Sequence, residues 1–160
     1  MLKKTTRKVR GSAGARFAIV ASRYNEEYVD GMVRVAEAIL KRAKAGKIEL
    51  LRVPGSFEVP VVAATLARRK AARPDVILCF GVIWQGETTH AHHSGEAVSF
   101  ALMDIAVETG VPVIHQVLTV ATEEQAVARC LAPDTNRGAE AAHTALAMVE
   151  TLRSARKCAE

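Results

Sequence analysis

"DVILCFGVI", residues 75–83, holds no charged side chain after its leading Asp75 and no alternation of polar with apolar residues. A strand with one wet face alternates, because successive side chains point to opposite sides of the sheet. An unbroken apolar run of this length is a strand covered on both faces, the kind found inside a parallel sheet. The flanking sequence supplies what would cover it. On the N-terminal side RFAIVAS (16–22) is a second short apolar run, followed by Val29, Val33, Ala36 and Leu40 at helical spacing. KIELLRV (47–53) alternates, and a helical pattern over 58–70 follows the break at Pro54 and Gly55. On the C-terminal side Val98, Leu102 and Ile105 mark a helix ending near Gly110, and PVIHQVLT (112–119) is a fourth strand. Two helices close the chain, one over 122–131 and one from about Asn136 that carries Ala141, Ala145, Met148 and Leu152 on one stripe. Strands alternating with helices predict an α/β protein with right-handed crossovers: a three-layer αβα sandwich on a four-stranded parallel sheet, flavodoxin-like.

At 160 residues the chain is sized for one domain with a full core. No apolar run approaches the roughly 18 to 20 residues that cross a bilayer, and the first 14 residues lack the apolar centre of a secretory signal. The expectation is a cytoplasmic protein. Cys79, Cys130 and Cys158 are odd in number and form no CxxC pair, which predicts reduced thiols rather than disulfides or a cysteine zinc site. The net charge of +5 is concentrated at one end: Lys3, Lys4, Arg7, Lys8, Arg10 and Arg16 account for six of the 22 basic residues, which leaves 16 against 17 acids over 17–160. The sequence therefore predicts a basic flexible arm over 1–15 and a single domain over 16–160, without the basic stripe that binds nucleic acid.

Ligands of open α/β sheets sit beyond the carboxyl ends of the strands. The segments that follow the four strands hold Tyr24, Phe57 and Trp84, three of only seven aromatic residues, and flat side chains at one edge suit a planar heterocycle. Gly86, Glu87, Thr88 and Thr89 lead into a helix whose first N–H groups form a ready anion site, although the same threonines would serve as plain caps. His90, His92 and His93 follow within four residues. On a loop their spacing matches no familiar zinc set, and neither a nearby Cys nor an HExxH pattern supports a metal. An imidazole beside an anion site and a stacked ring suits general acid–base catalysis, with nothing in the spacing to choose among the three.

"SRYNEEYVDGM", "VPGSFEVPVVAATLA", "GVIWQGETTHAHHSGEAV", "GVPVIHQVLTVATEEQAVAR" and "NRGAEAA", in this order, resemble the 6,7-dimethyl-8-ribityllumazine synthase family of riboflavin biosynthesis, from about Phe17 to the last helix. The resemblance implies a transferase that condenses 5-amino-6-(D-ribitylamino)uracil with L-3,4-dihydroxy-2-butanone 4-phosphate, without metal or organic cofactor. It implies a Schiff base, elimination of phosphate and a ring-closing dehydration. His90, ending G-x-T-x-H, falls at the family's proton-transfer position. Tyr24, Ser56, Phe57, Glu58, Val82, Ile83, Trp84 and His115 fall at pyrimidine and ribityl positions, and Glu87, Thr88, Arg129 and Arg137 at phosphate positions. It further implies homo-oligomers of pentamers with active sites between subunits, assembled in some members into an icosahedral capsid, and riboflavin synthase as a candidate partner. The chain departs from the family pattern at His115 and Gln116, where phenylalanine and glycine are common, and at Gln85, where arginine is frequent. A binding-only shell protein and a metal-assisted hydrolase are the competing classes.

Overall fold

In a computed structural model, which describes residues 12–157, the strands β1 (Arg16–Ser22), β2 (Lys47–Val53), β3 (Val76–Trp84) and β4 (Val113–Val120) form one parallel sheet in the order β2-β1-β3-β4. The helices are α1 (Glu26–Arg42), α2 (Val59–Ala67), α3 (His90–Thr109), α4 (Glu123–Cys130) and α5 (Arg137–Lys157), with a short 3₁₀ turn at Ser56–Glu58 ahead of α2. The strand order explains the layering. From β1 the chain steps outward to β2, then doubles back past β1 to β3 and on to β4. If every crossover is right-handed, α1 must lie on one face while α2 and α3 lie on the other.

The core follows that division. Phe17, Ile19, Leu78 and Phe80 pack with Met32, Leu40, Cys130 and Leu146 of α1, α4 and α5. Ala18, Val20, Ile77 and Cys79 pack with Val59, Leu66 and Leu102 of α2 and α3. Residues 76–82 of β3 are all buried, as its unbroken apolar run requires. Large-to-small substitution at a fully buried position such as Leu78 costs about 2 to 5 kcal/mol. Burial also raises the pKa of the Cys79 thiol, and that of Cys130 to about 11, so both free thiols are unreactive core residues. Among the described residues no helix is long and apolar enough to cross a membrane.

Residues 1–11 and Cys158 lie outside the described residues, and most of the expected basic arm with them. Of the arm's last four positions, Ser12 and Ala15 are buried, and Gly14, at φ 75°, donates its N–H to the Lys44 carbonyl at 3.1 Å. Ser12, Gly14 and Ala15 are thereby tied to the body, while Ala13 is exposed. The helix expected over 58–70 ends at Ala67. Just past that end, Arg69 reaches β2, where its guanidinium bonds both carboxylate oxygens of Glu49 at 2.8 and 3.1 Å.

Candidate functional site at the strand ends

Parallel strands bring the ends of β1, β2 and β3 to one edge, and the reversal of direction between β1 and β3 opens a crevice there. The crevice has a visible cause. After Ser22 the chain turns towards β2: Arg23 N–H donates to the Val53 carbonyl at 2.8 Å and Tyr24 N–H to the Pro54 carbonyl at 3.1 Å. Pairing of β1 with β3 stops at Ala21 and Phe80, whereas β3 stays paired with β4 as far as Trp84 and Val120.

Four of the expected ring and ribityl residues meet at this edge through direct contacts. Glu58 folds back so that Oε2 accepts the Gly55 N–H at 2.9 Å. Tyr24 lies over Gly55, where an added Cβ would come within 3.1 Å of its ring, and its outer face is exposed. Ser56 is buried against Gly81, where an added Cβ would sit 2.4 Å from Oγ; only glycine lets the hydroxyl approach β3 so closely. Trp84 donates its indole N–H to Asn25 Oδ1 at 2.9 Å. Val82 and Ile83 line the end of β3, and Phe57 stands exposed on the 3₁₀ turn.

The histidines were expected on a loop, and the structure corrects this. His90, His92 and His93 occupy the first turn of α3, whose N-terminal flank is Thr89. The preceding glycine and threonines stop the strand, and the helix begins about two turns before the apolar stripe at Val98. Thr89 accepts the His93 N–H on its backbone carbonyl at 3.1 Å but makes no side-chain cap, and among the described residues no hydrogen bond engages the side chains of Thr88, Thr89 or His90. Glu87, Thr88 and His90 are all exposed. His92 instead turns to Glu96 one turn on, Nε2 to Oε2 3.4 Å, beside a cleft of about 310 Å³ lined by Gln85, Ser99, Val117 and Thr119. Among the described residues no group of three His, Cys, Asp or Glu side chains is placed to hold a metal.

Three expected site residues stand apart from this edge. His115 pairs with Cys79, five positions before Trp84 along β3. At about 3.3 Å per residue that is about 16 Å from the strand ends. Its Nδ1 accepts the Val117 N–H at 3.1 Å, so the neutral ring carries its proton on Nε2, which donates to Ser99 Oγ at 2.8 Å; Ser99 in turn donates to the Gly95 carbonyl at 2.7 Å. Burial lowers the His115 pKa although an edge of the ring is exposed. Arg129 is exposed on α4 and has no ion-pair partner among the described residues. Arg137, at the start of α5, pairs with Glu140. No described bond joins either arginine to the turn over 86–89.

Asn25 and Tyr28 carry no role in the sequence reading, yet they organise the crevice. Asn25 spans it from the end of β1 to Val82, and the Tyr28 ring meets the Trp84 ring edge-on at 5.8 Å and 80°. An asparagine shortly after a strand and before two acids signals a helix start; contacts to residues almost sixty positions away leave no local trace.

Comparison with known proteins gives a consistent result. The family model described as 6,7-dimethyl-8-ribityllumazine synthase matches residues 14–153. The chain is 41% identical over 148 residues to 6,7-dimethyl-8-ribityllumazine synthase of Streptomyces coelicolor, covering 91% of this chain and 90% of that one. It is 39% identical to the protein of that name from Halorhodospira halophila (87% and 89% covered) and 38% identical to 6,7-dimethyl-8-ribityllumazine synthase 1 of Caulobacter vibrioides (89% and 93%).

Proposed function

This chain belongs to the 6,7-dimethyl-8-ribityllumazine synthase family, and from that premise we infer how its strand-end residues share the work of the reaction. The enzyme is a transferase: it condenses 5-amino-6-(D-ribitylamino)uracil with L-3,4-dihydroxy-2-butanone 4-phosphate to give 6,7-dimethyl-8-ribityllumazine, phosphate and water, the penultimate step of riboflavin biosynthesis. The observation that carries this conclusion is the family match over nearly the whole described body.

In our reading the pyrimidine lies in the crevice between the ends of β1 and β3, against Tyr24 and Trp84, with Ser56, Phe57, Glu58, Val82 and Ile83 around the ring and ribityl chain. The uncommitted turn before α3 suits the phosphate, with Thr88 offering its hydroxyl and the first amides of α3 their N–H groups. His90 stands at the same helix end and moves protons between the steps: it takes one as phosphate leaves and returns one as ring closure expels water. Glu87 sits at the rim of that turn.

His115, Arg129 and Arg137 act on the site of an adjacent subunit. Two observations support that arrangement. His115 lies about 16 Å from its own strand ends, and no Lys or Arg occurs between positions 86 and 128 to neutralise an anion at Thr88 from within. α3 also presents Phe100, Met103 and Val107 on one stripe at 70%, 63% and 76% exposure, more apolar surface than one helix normally leaves to water. A second copy of the chain covering this stripe fits the pentamer implied by the family. Closure of pentamers into a capsid, and riboflavin synthase as companion, rest on the family resemblance.

Turnover of the two substrates in the presence of EDTA, followed through the absorbance of the lumazine, tests the reaction. Sustained formation is expected. A protein that binds the lumazine without forming it is a binding shell, and one whose activity on another substrate fails in EDTA is a metal-assisted hydrolase.

A further inference from the structure

We propose that Asn25 is a positioning residue that fixes the Trp84 indole as a rigid wall of the pyrimidine site. The proposal rests on the placement of the pyrimidine described above. Asn25 sits at the N-cap of α1 in the left-handed region, φ 60° and ψ 41°, which asparagine tolerates better than most residues. An N-cap asparagine ordinarily turns its side chain onto the first amides of its own helix. This one makes no such cap. Its Nδ2 donates instead to the Val82 carbonyl at 2.8 Å, on the stretch of β3 that β1 no longer reaches. A carbonyl can only accept and an indole N–H can only donate, so the amide has one orientation that serves both: Nδ2 on Val82 and Oδ1 on Trp84 Nε1 at 2.9 Å.

The indole is held from two further directions. Its backbone is paired with Val120, and Gln85 N–H then donates to the Val120 carbonyl at 2.8 Å. The Tyr28 ring packs edge-on against it, and the Tyr28 hydroxyl donates to Glu123 Oε1 at 3.4 Å, which links this wall to the first turn of α4. Despite these restraints Trp84 stays 37% exposed. A ring already fixed, with one side open, loses little conformational entropy when a flat ligand stacks on it. Loosening it should weaken pyrimidine binding and leave the proton-transfer and phosphate groups untouched.

Trp84 is the only tryptophan of the chain, so intrinsic fluorescence reports this side chain alone. Asn25→Gly keeps the left-handed backbone and removes the amide. Collisional quenching of Trp84 by acrylamide should rise in this variant, with KM for the pyrimidine up about three- to tenfold, the loss expected of a neutral hydrogen bond, while kcat and KM for the butanone phosphate change by less than about twofold. In a Trp84→Phe background, where no N–H remains to hold, Asn25→Gly should add less than about twofold. An undiminished effect in that background, or unchanged quenching, overturns the proposal. Should Asn25→Gly fail to fold, Trp84→Phe decides alone: it keeps a ring but drops the N–H, and an unchanged pyrimidine KM overturns the proposal. Absence of turnover in the unmodified protein would sink the reaction instead. Quenching without substrate, and pyrimidine binding read through Trp84, still test the role of Asn25 in that case.

Discussion

The two halves of the strand-end site lie four residues apart on one segment and are built differently. Around Trp84 three polar side chains are committed: the indole N–H is on Asn25, the Asn25 amide on Val82, and the neighbouring Glu58 carboxylate on the Gly55 amide. At Thr88 and His90 no described side-chain bond exists and both residues are exposed. The crevice is preorganised within one chain, as suits a flat heterocycle recognised by shape. The side chains of the turn before α3 are uncommitted, and in the proposed reaction they would be engaged by the phosphate and by a cation from an adjacent subunit. The ordered half should govern pyrimidine affinity, and the open half the chemistry and the use of the phosphorylated substrate.

The largest effect that can break this division is at His90. His90→Ala should lower kcat by about 10²- to 10⁴-fold, the range for a general acid–base group, with both KM values nearly unchanged. Because the side chain is exposed and makes no described bond, circular dichroism and native mass should match the unmodified protein. An unchanged kcat removes His90 from the mechanism. An equal loss from His92→Ala alone moves the role to the cleft beside Glu96.

The sequence was most legible where one periodicity ruled. β1 and β2 occupy the residues expected of them, 16–22 and 47–53, because charged or turn-forming residues bound both runs. β3 reads correctly because its lack of alternation has one structural meaning, burial on both faces. Boundaries failed where a distant contact decided them: α2 ends early beside the bond of Arg69 to Glu49, twenty positions away. In the site, residue types were legible and their commitments were not. Trp84 reads as a stacking ring, but its restraint by Asn25 and Tyr28 does not. His115 reads as a rim residue of the site, whereas its strand register sets it well below the strand ends of its own chain.

A smaller effect sharpens the contrast from the open side. Arg129→Ala should raise KM for the butanone phosphate much more than KM for the pyrimidine, and should lower kcat because the charge of the departing phosphate loses a partner. Together these should amount to about 2 to 4 kcal/mol in kcat/KM, in line with a charge-assisted contact to a developing anion. Since Arg129 has no ion pair of its own among the described residues, the substitution should leave monomer stability unchanged, as urea denaturation would show. Equal effects on both substrates would place the arginine outside the phosphate site. Full activity in an isolated monomer would show that the open half needs no second chain.

The smallest effect asks whether the ordered character of the crevice extends to the β4 side of the sheet. His115 is held neutral by geometry: Nδ1 accepts from Val117 N–H and Nε2–H donates to Ser99 Oγ, and burial lowers the pKa of the ring from its ordinary 6.5. Protonation would put a second N–H where the Val117 N–H already points, so the fold resists it more than the unfolded chain does. As pH falls, the unfolded chain therefore takes up this proton first. The stability linked to His115 is fully present above about pH 6.5 and is lost as pH drops through that value towards the lowered folded pKa. Because every other group is common to both proteins, comparison with His115→Gln isolates the contribution. Urea midpoints measured between pH 8 and pH 5 should converge for the two proteins on acidification, the unmodified protein losing more. Parallel curves would show that the ring nitrogens are open to water, and that the order seen at Asn25 and Trp84 stops at β3.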